Sequence, residues 1–428
     1  MKLSLILLCL FAETSSARFL ASDVDVSEAS EQIMPSVPEA APAVAANPKW
    51  ATPNYEAQDG ALGWSPDIFK VPAGMEDRVQ FWKDIYTKYT SDQGVLHDSL
   101  YVGLVYEDVD FSDITAHTEW TSRQKEKERR KRIKDKKEEI VSRLKRLSDL
   151  KDGTGLEGED RRYWDMFSKV DEPRKFLEAG KKGRLRFQLG QRNQFINGIY
   201  QSGRYLRQME EIFRQQGVPL ELTRMVFVES SFNLRARSRV GASGIWQFMR
   251  SAARSYMHMD HVADERNDPL RATLAAAKKL RANYAMVGNW PLAVTGYNHG
   301  PSGVLRLTKK EGTTDIVQLT EVRRGRFGFA SANFYASFLA ALDVERNADK
   351  HFGILEVMPE LRGAEIKIVK SQFAKDFLKW FNNDVDLAQL LNPHVSPAVW
   401  SGKAPLSRRH ILRVPLLQES AARGHLGD

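Results

Sequence analysis

The sequence has very little cysteine and no long apolar run after its first residues. Cys9 is the only cysteine in 428 residues, so a disulfide framework is excluded, and the chain beyond it offers no thiol nucleophile or thiolate metal ligand. No later segment is long and apolar enough to span a bilayer. The fingerprints of P-loops, dinucleotide sites and Gly-x-Ser-x-Gly hydrolases are also absent. Thiol, nucleotide-binding and serine-hydrolase chemistries are therefore disfavoured.

Residues 1–17 have the composition of an export signal. Lys2 gives a positive start, an apolar stretch follows, and small residues precede a cleavage site near Ala17. A buried N-terminal strand is the alternative, and the leucines before Cys9 do not fit a lipoprotein signal. We expect export to the periplasm or cell envelope, or secretion. Residues 18–60, rich in Ala, Pro, Ser and Glu, are predicted to be a flexible linker.

Positive charge is concentrated in one stretch. The net charge of the chain is +8, and residues 121–150 alone hold thirteen Lys or Arg against six Asp or Glu. Aliphatic residues recur there at steps of seven, four and three, which predicts a charged helix with a narrow apolar stripe. The stripe consists of Ile133, Ile140, Leu144 and Leu147. We interpret the stretch as a solvated basic arm, with contact to an anionic envelope surface as the alternative. Nucleic acid is disfavoured as a partner because aromatic side chains are lacking.

Helical periodicity dominates the rest of the chain. We predict a helical N-terminal extension with the basic arm at residues 61–160, then a dense helical part at residues 161–350. Helices are predicted within the latter over 192–217 and 219–232, among others. EIKIVK and HILRVPL look like short strands, so residues 364–416 are predicted to form a small α+β appendage. The expected fold class is mainly α.

A carboxylate stands in an apolar run of the second of these helices. Glu229 shares one helical face with Leu222, Met225 and Val226. Burial among apolar neighbours disfavours the charged carboxylate, and a carboxyl that stays protonated near neutral pH suits general acid catalysis. The alternative is that Glu229 turns outward or caps a neighbouring segment.

A glycine-rich turn and further polar positions follow Glu229. Residues 238–244 combine small side chains with glycines, which let the backbone approach a ligand closely. Gln247 lies in an apolar run, so we expect its amide to bind either backbone or a ligand. Tyr297 and Asn298 place a hydroxyl and an amide at a helix-to-turn boundary. Each feature is weak alone, but in this order they form a set.

The set resembles the motifs of the lysozyme-like lytic transglycosylases, which cleave peptidoglycan glycan strands. Glu229-Ser230 matches their Glu-Ser motif, 241–249 their Gly-Leu-Met/Trp-Gln motif, and 293–301 their Ala-Tyr-Asn-x-Gly-Pro motif. The resemblance covers roughly residues 180–350 and is closest to the membrane-bound lytic murein transglycosylase D branch. It implies a helical lysozyme-like catalytic domain of the goose-type or soluble lytic transglycosylase class.

The resemblance also implies an activity. Family members cleave the bond between N-acetylmuramic acid and N-acetylglucosamine without water and leave a 1,6-anhydromuramoyl end. Glu229 would act first as the acid and then as the base, with no cofactor and no metal. The implied substrate-binding residues are Ser230, Ser238, Gly244, Gln247, Met249, Tyr297 and Asn298. Two alternatives remain: a hydrolysing muramidase on the same fold, and a non-catalytic wall-binding protein that works through the basic arm.

Two regions depart from the family pattern. Many members carry Glu-Thr-Arg-x-Tyr where residues 330–334 here read Ala-Ser-Ala-Asn-Phe, so the contacts of that charged pair are not expected. Residues 364–416 look like a LysM module without its usual Gly-Asp-Thr. We expect a degenerate LysM-like module, with a plain packing appendage as the alternative. His258, Asp260 and His261 are interpreted as surface side chains rather than metal ligands.

Overall fold

The computed structural model describes residues 67–322 and 327–426. Helices dominate and the strands are few and short, so the predicted mainly α fold class is confirmed. In this described part, no helix combines the length and the apolar character needed to cross a bilayer. The predicted export signal at 1–17 and linker at 18–60 lie outside the described residues.

The helices run through the whole described chain, and the longest three are Ser122–Ser148, Pro269–Val287 and Phe329–Arg346. The others are Glu76–Thr87, Ser112–Ala116, Gly158–Met166, Lys175–Ala179, Arg192–Ser202, Leu206–Gln215, Met225–Glu229, Arg250–Ala253, Trp290–His299, Pro301–Glu311, Ile316–Glu321, Ala348–Phe352, Ala374–Phe377, Val385–Leu391, Pro397–Trp400 and Glu419–Leu426. Asp268 caps the helix that begins at Pro269 by accepting from two backbone N–H groups.

An antiparallel sheet crosses from the N-terminal extension into the next part of the chain. It consists of β1 (Gln93–Asp98), β2 (Val105–Asp110) and β3 (Leu185–Leu189), in the order β2-β1-β3. The sequence had predicted a helical extension, but the extension also contains strands β1 and β2. Five of the six residues of β1 are buried, including His97 and Asp98. The apolar–polar alternation that identifies a half-exposed strand is consequently missing.

The basic stretch forms the helix Ser122–Ser148 and packs against the molecule. Thr121 caps it in a reciprocal capping box with Gln124. The four aliphatic residues of its stripe are buried, at 4% exposure or less, in an apolar cluster with aromatic residues of the extension. Several of its cations pair with acids of other segments, for example Arg129 with Asp92 at 2.8 Å. The basic helix is thus docked on the extension along one face.

Two helix predictions in the central part needed correction. The predicted helix 192–217 is broken at Gly203, where a Cβ would lie 2.2 Å from the carbonyl oxygen of Met358. The predicted helix 219–232 is a 3-10 turn over Leu220–Arg224 followed by the short helix Met225–Glu229. Local periodicity reports neither break.

The last part of the chain has its own apolar core. Strands β4 (Ala364–Lys367) and β5 (Ile411–Val414) pair antiparallel, with short helices between them in sequence. The two predicted strands are confirmed. A buried ion pair joins this C-terminal module to the helix that begins at Pro269: Nη1 of Arg413 lies 3.2 Å from Oδ2 of Asp268.

Candidate active site

Glu229 occupies the last position of the helix Met225–Glu229. The four residues before it are all buried, and Glu229 itself is only 7% exposed. Directly after it, Ser231 and Phe232 adopt positive φ values of 47° and 58°. Non-glycine residues rarely adopt this conformation, and such strain concentrates at functional sites. The chain therefore turns sharply away and leaves Glu229 at the end of an apolar helix, whereas the sequence predicted a helix that continues to residue 232.

Burial sets the protonation of Glu229. Removal from water raises the pKa of its carboxyl to about 8, and the attraction of Lys279 opposes this rise. Burial in turn lowers the pKa of Lys279 to about 8, against the attraction of Glu229. Among the described residues, Lys279 is the one charged group that shifts the pKa of Glu229. Glu229 is thus a protonated acid near neutral pH. In the part of the chain that the structure describes, one cation and no second carboxylate shift its pKa.

The glycine-rich turn folds back under the site. Ser243 bridges both Arg237 and Phe248 in short antiparallel contacts. Gly244 has a φ of +77°, and a Cβ there would lie 1.8 Å from the carbonyl oxygen of Arg266. Only glycine fits this position, because both the backbone angle and the space exclude a side chain. Gly244 therefore shapes the turn and offers no side chain to a ligand.

Gln247 is buried and held in a strained conformation. Its φ is 47°, and its Nε2 donates to the carbonyl oxygens of Gly244 at 2.7 Å and Ala236 at 3.2 Å. Its Oε1 is buried without a hydrogen-bond partner among the described residues. A buried acceptor left unpaired costs free energy unless a ligand or water satisfies it. The sequence left open whether the amide binds backbone or a ligand; its nitrogen binds backbone, and its oxygen is available to a donor.

The two serines predicted to bind substrate have backbone partners. Oγ of Ser230 donates to the carbonyl of Ile245 at 2.8 Å, which ties the end of the Glu229 helix to the turn. Oγ of Ser238 accepts from the backbone N–H of Ala242 at 2.9 Å. Met249 is half-buried and directly precedes the helix Arg250–Ala253.

The Tyr-Asn pair belongs to the helix Trp290–His299. The hydroxyl of Tyr297 donates to the carbonyl of Trp246 at 3.0 Å, so it fixes the segment that carries Gln247. Asn298 is 3% exposed, and its Oδ1 accepts from the Oγ of Ser331 at 3.1 Å. The hydroxyl of Tyr297 and Oδ1 of Asn298 thus hold neighbouring segments in place.

Sequence analysis did not identify two residues that hold the candidate site. Nζ of Lys279 donates to the carbonyl of Tyr297 at 3.1 Å and lies 3.9 Å from the centre of the Tyr297 ring. Arg266 donates to the carbonyls of Gly241 at 2.8 Å and Phe248 at 3.0 Å, and so joins the two ends of the turn. Lys279 was not identified because a lysine beside a charged neighbour in an alanine-rich helix is typical of a solvent-exposed helix face. Arg266 stands in an unpatterned loop.

Comparisons with known proteins identify one part of the chain. The model of the transglycosylase SLT domain matches residues 209–319. This part of the chain is a transglycosylase SLT domain. The matched domain contains Glu229 and all seven predicted substrate-binding residues.

The chain matches its curated relatives over part of their length. It is 35% identical over 147 residues to the membrane-bound lytic murein transglycosylase D of Escherichia coli strain K12, and equally to that of strain CFT073. These 147 residues are 33% of this chain and 31% of each relative. A protein of Alteromonas sp. named for tributyltin chloride resistance is 30% identical over 126 residues. The chain thus spans about a third of the length of the first two relatives.

The departure from the family pattern lies outside the matched domain. Residues 330–334 are buried near the start of the helix Phe329–Arg346. Ser331 contacts Asn298, and Oδ1 of Asn333 accepts from Nη1 of Arg78 at 3.2 Å. The segment thus connects the matched domain with the N-terminal extension.

Proposed function

We propose that this protein is a peptidoglycan lytic transglycosylase that uses Glu229 as its one catalytic carboxyl group. The substrate would be the bond between N-acetylmuramic acid and N-acetylglucosamine, and the product a 1,6-anhydromuramoyl end. The observation that carries the proposal is the burial of Glu229, which raises the pKa of its carboxyl to about 8 with Lys279 as the one charged influence in the described part of the chain.

The first step requires an acid. The protonated carboxyl of Glu229 gives its proton to the glycosidic oxygen, and the bond from that oxygen to C1 of the muramic acid breaks. Because burial disfavours the carboxylate, the proton is available for transfer at neutral pH. Positive charge that develops at C1 can be shared by the 2-acetamido oxygen of the substrate.

The second step uses the same group as a base. The Glu229 carboxylate removes the proton of the sugar's own O6 hydroxyl, the O6–C1 bond closes the anhydro ring, and the acid is regenerated. Lys279 would stabilise the transient carboxylate, since its attraction favours the charged form. An ordinary glycosidase needs a second carboxyl for its water or nucleophile. Here the substrate supplies the nucleophile.

The substrate contacts in this proposal come from the turn. Oε1 of Gln247 is the acceptor that would receive a sugar hydroxyl or amide hydrogen. Ser238 and Met249 would border the bound sugar. Gly244, Ser230, Tyr297 and Asn298 would serve by holding backbone and Gln247 in position, because their polar groups are paired within the protein.

Purified murein sacculi and mass spectrometry of the soluble products test the proposal. We expect anhydro ends, one water lighter than reducing ends, from the wild type. Glu229→Gln keeps the shape and removes the acid, so we expect release to fall by about 100-fold or more. Glu138→Gln, an exposed acid on the basic helix, is the matched control. Equal lysis by Glu229→Gln, or products with reducing ends alone, would overturn the proposal; the second result would identify a hydrolysing muramidase.

The remaining assignments concern location and binding. We infer export, through residues 1–17, to the envelope where peptidoglycan lies. The exposed cations of the basic helix suit peripheral contact with an anionic envelope surface, while its apolar stripe packs inward. Strands β4 and β5 with helices between them are compatible with a LysM-like module at 364–416. Binding of that module to sacculi, compared with a chain that ends before residue 364, would test this last assignment.

A further inference from the structure

Three potential metal ligands meet where the catalytic domain contacts the C-terminal module. His258 and Asp260 belong to the loop before the helix Pro269–Val287, and His410 directly precedes β5. Oδ2 of Asp260 lies 3.1 Å from Nε2 of His258 and 3.0 Å from Nε2 of His410. All three ligand atoms lie within 4.8 Å of one another.

Contacts with backbone hold Asp260 and His410 so that these three atoms face one another. Nδ1 of His410 donates to the carbonyl of Ser407 at 2.9 Å, so in the neutral ring the lone pair is on Nε2. Oδ1 of Asp260 accepts from the backbone N–H groups of Val262 and Ala263 at 2.8 and 2.9 Å. Such partners orient the ligands of metal sites in proteins. Oδ2 therefore faces two imidazole nitrogens.

We propose that His258, Asp260 and His410 bind a divalent transition-metal cation, with Zn²⁺ as the best fit. Zinc prefers imidazole and carboxylate ligands in a tetrahedron with bonds of about 2.0–2.2 Å. Ligand atoms in such a tetrahedron are about 3.3 Å apart, close to the two separations between Asp260 and the histidines. The side chain of His258 is 44% exposed and that of Asp260 is 28% exposed. Solvent thus has access for entry of the ion and for a fourth, water ligand.

The bound cation would fasten the C-terminal module to the catalytic domain. Backbone contacts already join the same loop to that module: the N–H of Ser396 donates to Val262, and the N–H of Asp264 to His394, both at 2.8 Å. A metal bound by both residue 258 and residue 410 would cross-link the chain and close a loop of about 150 residues. This inference is independent of the proposed catalytic activity.

Zn²⁺ titration of the purified, tag-free chain after chelator treatment tests the site. We expect one Zn²⁺ per chain in competition with a chromogenic chelator, four-coordinate absorption with Co²⁺, and a rise in Tm of about 2 °C or more at saturating Zn²⁺. His410→Ala should weaken binding at least tenfold. His261→Ala removes a neighbouring exposed histidine outside the cluster and should leave binding unchanged.

His258→Ala guards against a folding defect, because this ligand is on the exposed side of the cluster. It should fold as the wild type does without metal, lose at least tenfold in Zn²⁺ affinity and lose the Zn²⁺-dependent rise in Tm. The proposal is overturned if the wild type binds no Zn²⁺ at micromolar concentrations, or if His258→Ala binds it as tightly as the wild type.

Discussion

The protonation of Glu229 reflects two opposed effects on one side chain. Burial favours the neutral carboxyl, and the half-buried Lys279 favours the carboxylate. A single group that must act as acid and then as base needs both forms within reach at one pH. A pKa of about 8 in the free protein keeps the acid form dominant, and Lys279 keeps the base form accessible.

Lys279→Met should therefore change the pH profile. Without the cation, the pKa of Glu229 rises further, because burial is no longer opposed. Activity that requires the protonated acid is lost as pH rises through this pKa, so the alkaline limb of kcat/KM should move to higher pH. We also expect kcat to fall by about tenfold, since the carboxylate formed in the first step loses its partner.

Product release from sacculi across pH measures this shift. Lys278→Met, which removes the exposed neighbouring lysine, is the matched control and should keep the wild-type profile. An alkaline limb that stays in place, or moves to lower pH, would show that Lys279 does not act on the acid.

At the residue scale, the sequence indicates candidate residues only where the signal is local. Glu229 and Gln247 were proposed because each breaks an apolar run, and Gly244 because glycines cluster beside them. The structure buries Glu229 and Gln247, and their roles stay predictions. Lys279 was not identified, since its relation to Glu229 depends on how two helices pack. His410 was missed for the same reason: its partners lie about 150 residues away in sequence.

Among the elements, the basic helix shows how composition can mislead. Its charge suggested a solvated arm, but its narrow apolar stripe is buried in full. Ile140→Ala should lower the free energy of unfolding by about 2–5 kcal/mol, because a fully buried aliphatic side chain is replaced by a cavity. Val141→Ala alters the adjacent side chain, which is 38% exposed, and should cost less than about 1 kcal/mol.

Urea unfolding of the two variants beside the wild type provides the measurement. Similar small losses for both would mean that the helix is solvated rather than docked. Hydrogen exchange gives a second readout, because amides of a docked helix exchange slowly and those of a free arm exchange fast.

Element-scale prediction was limited by what periodicity can report. The long amphipathic helices and strands β4 and β5 were predicted, because their patterns are regular and one-sided. Strand β1 was not, because it is buried over nearly its whole length. The break at Gly203 was not, because it results from the approach of Met358 from a distant segment.

At the scale of the whole molecule, Asp268 connects the catalytic domain with the C-terminal module. It caps the helix Pro269–Val287 and pairs with Arg413, both while buried. Burial alone would raise the pKa of Asp268, but Arg413 and His394 hold it below the ordinary value. Because the pKa is lowered on folding, this stabilisation is present above the ordinary carboxyl pKa and is lost as pH falls through the folded value.

Asp268→Asn keeps a good helix cap and removes the charge opposite Arg413. We expect a loss of about 3–5 kcal/mol near neutral pH, since Arg413 is left buried without its partner. The difference from the wild type should shrink below about pH 4. Thermal unfolding and limited proteolysis of residues 353–363 would report it.

Asp315→Asn is the matched control, because Asp315 caps the helix Ile316–Glu321 from an exposed position. It should cost less than about 1 kcal/mol. A loss for Asp268→Asn no larger than that of the control would mean that the buried pair does not stabilise the junction.

The packing of the sheet and of the helix Glu76–Thr87 limits how the gene for such a protein can recombine. Strand β3 hydrogen-bonds to β1, the helix packs along Phe329–Arg346, and Arg78 reaches Asn333. A gene fragment for residues 161–350 would encode an open strand edge and an uncovered apolar face. Recombination that exchanges this catalytic segment is therefore expected to succeed only when the extension that precedes it travels with it.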